Sequence, residues 1–123
     1  MRNKAMNALI EMGVPAGSKG FKYITDVMFL FEKNKCWREY KLMAIYHEVA
    51  KMNNTTASRV ERAIRYAFSN VITKGYLETV EKYLTLTLDK PTNGRLLAVF
   101  YIRLSQENED EKDKNWKSCL AEF

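Results

Sequence analysis

With 123 residues and 46% apolar side chains, the chain can bury one hydrophobic core but not two. It contains no run of about 18 apolar residues, which excludes a helical membrane span. Its start, Met-Arg-Asn-Lys-Ala-Met, leads into an amphipathic segment and not a signal-peptide core, so a cytoplasmic protein is expected. The formal charge of +5 is unevenly spread: residues 106–123 hold three Lys and six Asp or Glu, which leaves +8 on residues 1–105. A basic body of this kind suits a polyanionic partner, most often nucleic acid, and also suits plain solubility.

Residues 4–12 read as a first helix with Ala5, Ala8, Leu9 and Met12 on one side; Gly13 can cap it and Pro15 forbids continuation. Ser18 is a plausible N-cap for a second helix, about 19–33, whose apolar positions Phe21, Ile24, Val27, Met28 and Phe31 recur at helical spacing. Asn34 and Lys35 break the pattern. A third helix is expected near 38–52, with Leu42, Ile45, Tyr46 and Val49 inward. The aromatics of these helices could be imagined as a stacking platform for single strands, but their helical spacing points to core packing. His47 reads as a surface or half-buried residue with no apparent partner.

Between this helix and the next there is hardly a residue to spare. The following helix runs near 55–74, with Thr55 or Thr56 as its N-cap. A capping box Ser58-x-x-Glu61 is a competing start that would tie Glu61 to the backbone; the earlier start leaves Glu61 free to point outward. Small Ala50 allows close approach, and Val60 and Ile64 fill the angle. A short polar turn with such a contact is the helix-turn-helix arrangement.

At about 100° per residue, with Val60 as zero, Ala63, Ile64, Ala67, Phe68 and Val71 fall within about 80°, whereas Ser58, Glu61, Arg62, Arg65 and Ser69 fall between about 100° and 200°. One side faces a core and the other carries Arg and Glu. Arg can donate two parallel hydrogen bonds to guanine O6 and N7, and Glu can accept from the cytosine amino group, both in the DNA major groove. A solvated face with ion pairs such as Glu61 with Arg65 would carry the same pattern.

Gly75 ends the long helix, with Lys74 suited to its dipole. Residues 77–83 fit a short helix, while Leu84-Thr85-Leu86-Thr87-Leu88 alternates at period two and would pass for a strand, so a winged helix is an alternative. Lys90-Pro91-Thr92-Asn93-Gly94 is a turn with Thr92 or Asn93 as cap. Leu96, Leu97, Val99, Phe100 and Leu104 then give a last core helix ending near Ser105. The expected organisation is all-α, about six helices in a domain at 1–105, followed by a charged tail at 106–123 without periodicity, either disordered or loosely extending the last helix.

Chemistry-bearing residues are scarce. Cys36 and Cys119 sit in no paired motif and read as free thiols. With one histidine there is no zinc-ligand set and no Ser-His-Asp or Cys-His arrangement. Gly13, Gly17 and Gly20 lack the Lys-Ser/Thr of a phosphate loop. We therefore expect no enzymatic activity, no cofactor and no small-molecule substrate.

The run Asn54-Thr55-Thr56-Ala57-Ser58-Arg59-Val60-Glu61-Arg62-Ala63-Ile64-Arg65 closely resembles the recognition-helix segment in the C-terminal DNA-binding domain of the stage-zero sporulation response regulator of endospore-forming Firmicutes. Two collinear segments share the resemblance: Met12-Gly13-Val14-Pro15-Ala16 with Lys19-Gly20-Phe21-Lys22-Tyr23, and Lys90-Pro91-Thr92-Asn93. Together they span about residues 5–105. The resemblance implies a helical fold that binds a short double-stranded motif, the sporulation box with a T-G-T-C-G-A-A-like core, usually in tandem or paired copies. It implies base reading by Glu61, Arg62 and Arg65 and places Ser58 and Arg59 near the phosphates; Lys51, Thr55 and Thr56 complete the backbone-contacting set expected at the helix start. The RNA polymerase sigma subunit and a second copy on DNA are further partners to consider.

Three departures stand out. The family carries a receiver domain, for which 123 residues leave no room, so either an excised domain or a stand-alone protein is expected. A large apolar residue of the family is replaced by Asn53, and Met52 is expected to take over its packing. The segment between Gly75 and Lys90 is shorter than in the family, where contact with sigma is made. That shortening and the acidic tail motivate an alternative: a module that binds polymerase or the full-length regulator without reading DNA.

Overall fold

The computed structural model describes residues 1–34, 37, 41–85 and 92–107. Among these are six helices and no strand: α1 (Arg2–Met12), α2 (Lys19–Lys33), α3 (Leu42–Met52), α4 (Ala57–Lys74), α5 (Leu77–Leu84) and α6 (Asn93–Glu107). The all-α expectation holds. Of the period-two stretch, Leu84 closes α5 and residues 86–88 lie outside the described residues, as do Cys36, Cys119 and residues 108–123 of the tail.

Each helix starts or stops for a local reason. At the end of α1, Gly13 takes φ 104°, a region that only glycine enters without cost. There its amide bonds to Ile10 O at 3.0 Å while the Val14 amide bonds to Leu9 O at 2.9 Å. Ser18 caps α2 by accepting from the Phe21 amide at 3.3 Å, and Thr92 caps α6 by accepting from the Arg95 amide at 3.3 Å; Asn93 is the first helical residue. The third helix begins later than its periodicity suggests. Lys41 has ψ 140° and is the N-cap, so α3 proper starts at Leu42.

Helices α1, α3, α4 and α6 pack around α2, whose residues Ile24, Val27 and Met28 are wholly buried. The inward positions read from periodicity form the core, with Leu42, Ala63 and Val99 only half-buried. The aromatics go inward too: Phe31 stacks on Trp37 with centroids 4.4 Å apart, and Tyr101 meets both rings edge-on. They contribute apolar area and offset-stacked contacts to the core.

One packing detail positions α4. A Cβ on Gly20 would sit 2.7 Å from Ala63 O and 2.8 Å from Ala67 Cβ. Glycine here lets α2 lie directly against the middle of α4. Gly75 works in a similar way: it ends α4 as expected, with φ −78°, and a Cβ would meet Val71 O at 2.6 Å and Met12 O at 2.7 Å. It brings the ends of α1 and α4 together.

Candidate nucleic-acid interface

The turn between α3 and α4 is built from polar residues that satisfy the two helix ends. Asn54 adopts φ 53°, and the Thr55 amide reaches back to Ala50 O at 2.9 Å while the Asn54 amide bonds to Lys51 O at 3.4 Å. This is the paired-bond C-terminal stop in which asparagine can stand for glycine. Two residues later Thr56 Oγ1 accepts from the Arg59 amide at 3.3 Å and starts α4. Of the competing starts, the threonine is used, and Ser58 lies exposed on the first turn. Ala50, Val60 and Ile64 are buried at the crossing of the helices.

Met52 does not do what its apolar side chain suggests. It is 42% exposed, because its position on α3 points away from the core. Asn53 turns inward instead. Its Nδ2 donates to Val49 O and to Asp26 Oδ2, both at 2.8 Å. Asp26 is completely buried and also takes Arg2 and Lys22 as partners, Lys22 Nζ lying 3.1 Å away. Burial pushes the Asp26 carboxyl up, but the hydrogen bonds from Asn53, Arg2 and Lys22 outweigh it, and the group lies below the usual carboxylate range.

The outer face of α4 is open. Ser58, Arg59, Arg62, Arg65, Tyr66 and Ser69 are exposed, as are Thr56 and Lys51, while Thr55 is half-buried. Glu61 is not free. Arg65 Nη1 donates to its Oε2 at 2.8 Å, with the arginine side chain 61% and the glutamate 31% exposed. The pair leaves Nη2 and Nε of Arg65 available, since a guanidinium has five donors in a planar fork. Arg59 and Arg62 make no ion pair among the described residues.

Asn93, read from sequence only as a potential cap, turns out to brace this helix. Its Nδ2 donates to Glu61 O at 3.1 Å and to the Tyr46 hydroxyl at 3.2 Å, joining the start of α6 to α3 and α4. Burial raises the Tyr46 phenol above its ordinary value against the opposing Asn93 bond, with Glu61 adding to the rise. Tyr66 was also passed over. It is 71% exposed and lines, with Asn70, Lys19 and Pro15, a cleft between α4 and the α1–α2 loop. Its place one turn beyond Arg62 was the available signal.

An exposed, arginine-bearing helix held by a four-residue turn against a second helix is the helix-turn-helix arrangement. A family model described as "Sporulation initiation factor Spo0A C terminal" matches residues 5–104. The chain belongs to this family. Spo0A C-terminal domains are DNA-binding domains of a sporulation regulator, all-helical, and the family binds DNA. The matched span includes the whole of α4 and the Thr92–Asn93 brace. Among the described residues no helix is long and apolar enough to cross a membrane, and no group of three or more His, Cys, Asp or Glu could hold a metal.

Proposed function

We propose that the chain is a sequence-specific double-stranded DNA-binding transcription regulator that recognises a sporulation-box-like motif by inserting α4 into the major groove. The reading rests above all on the outward face of α4, where Ser58, Arg62, Arg65 and Ser69 are exposed along one side. At 1.5 Å per residue this face is roughly 16 Å long, enough to cross several base pairs in a groove about 12 Å wide. Arg62 and Arg65 read guanine edges. Glu61 holds Arg65 by one edge of its guanidinium and leaves the other for a base, so its own contact to cytosine and its hold on Arg65 compete or alternate. Lys51, Thr55, Thr56, Ser58 and Arg59 meet the phosphates at the start of the helix, which carries the positive end of its dipole.

Tyr76 and Leu77, at the start of α5, are 68% and 58% exposed. That favours, as a second reading, a protein-contact surface after Gly75, for polymerase or the full-length regulator. Fluorescence anisotropy with a duplex carrying T-G-T-C-G-A-A and a scrambled duplex, at two salt concentrations, decides between the two. A box preference that persists while both affinities fall with salt supports DNA reading. No preference at either salt favours the interaction module.

A further inference from the structure

We propose that Asn53 is a specificity-determining positioning residue: its side-chain amide, bonded to the buried carboxylate of Asp26, sets the direction in which α4 leaves the turn and so the placement of Arg62 and Arg65 on DNA. The inference rests on the DNA-reading function proposed above.

Both amide protons of Asn53 are committed, one to Val49 O on α3 and one to Asp26 Oδ2 on α2. The side chain therefore ties the end of α3 to the helix against which α4 itself rests. The second fixed point is the approach of Gly20 to Ala63 and Ala67. One point holds the entry to α4 and the other its middle, and two points fix a direction. A hydrogen bond constrains both distance and angle, whereas an apolar side chain in the same place would constrain only volume.

Arg65 sits at the second point and Arg62 one turn before it. If the entry is released, α4 turns about Ala63 and Ala67, which stay on Gly20; a swing of roughly 10° then moves Thr56, about 13 Å along the axis at 1.5 Å per residue, by about 2 Å and Arg62 by about 0.8 Å, and re-aims the Arg65 side chain. Base hydrogen bonds tolerate a window of about 0.5 Å. Contacts of flexible Lys and Arg chains to phosphate carry no sequence information and survive such a shift.

Asp26 makes the positioning role separable from a purely structural one. In Asn53→Leu it keeps Arg2 and Lys22, so no buried charge is left unpaired. In Asp26→Asn the side chain still offers a carbonyl oxygen to Asn53 but loses its charge. Anisotropy on box and scrambled duplexes, together with the α3–α4 angle from residual dipolar couplings of the free protein, tests the proposal on the full chain. For Asn53→Leu we expect box affinity to fall about tenfold or more, the scale of one lost bidentate base contact, with scrambled-duplex affinity changed less than about twofold and the angle altered. Asp26→Asn keeps the angle and the box preference although its thermal stability falls. Equal losses on both duplexes for Asn53→Leu, or an unchanged preference with an unchanged angle, would overturn the proposal, as would loss of preference in Asp26→Asn. If the wild-type chain shows no box preference, the DNA-reading function fails and the angle alone decides: altered in Asn53→Leu supports the pin, unaltered refutes it.

Discussion

Gly20→Ala puts the contact between α2 and α4 to a direct test. The added carbon would sit 2.8 Å from Ala67 Cβ and 2.7 Å from the carbonyl oxygen of Ala63. Carbon pairs rest at about 3.5–4.0 Å, so the helices must separate by roughly 1 Å, and one of the two obstacles is backbone. Overpacking of this kind costs about 1–3 kcal/mol. Replacing glycine by alanine inside a helix returns up to about 1 kcal/mol, and less here because residue 20 is in the first turn of α2. The net loss is about 1–2 kcal/mol, a fall in Tm of roughly 5–15 °C for a domain near 100 residues. Gly17→Ala is the control, because a Cβ there meets nothing within 4 Å. Thermal unfolding followed by circular dichroism at 222 nm reads both variants. If Gly20→Ala melts no lower than Gly17→Ala, the close approach of α2 to α4 is not set by this residue and the reasoning fails.

Thr56→Ala should lose about 1 kcal/mol as α4 loses its cap, whereas Ser58→Ala should stay within about 0.5 kcal/mol; urea unfolding separates them, and the reverse order would restore the Ser58 capping box. Because the folded Asp26 carboxyl lies below its unfolded value, its contribution to stability is present above about pH 4 and is lost as pH falls through the folded value. Asp26→Asn should therefore flatten the acid limb of a stability–pH profile, and an identical acid limb in both proteins would contradict the assignment. Arg62→Ala and Arg65→Ala should each cost about 1–3 kcal/mol on the box and little on a scrambled duplex. Equal losses on the two would remove them from the base-reading set.

The ladder of helices was legible because each carries its own period and punctuation. Phe21, Ile24, Val27, Met28 and Phe31 declare the buried side of α2, and Gly13, Ser18 and Thr92 mark the end of α1 and the starts of α2 and α6, all within a turn or two of chain. The start of α3 was less so: Lys41 is extended, a backbone choice that the surrounding apolar spacing does not record. For the interface, the wheel around Val60 placed Arg62 and Arg65 on the open side, but could not say whether Glu61 was free or paired.

By itself the sequence determined that the chain is helical, which side of each helix is buried, and that one short turn joins two helices at a basic, outward-facing surface; these follow from spacing and from residues that cap or break helices locally. Only the tertiary structure decided how that surface is aimed. Met52 lost the packing role to Asn53 because Asp26, 27 residues away, offers a buried acceptor. Asn93 braces α4 from 32 residues beyond Glu61. The partner of a buried polar group is chosen by the fold and not by its neighbours in the chain, since the cost of leaving such a group unbonded is met only once distant helices have come together.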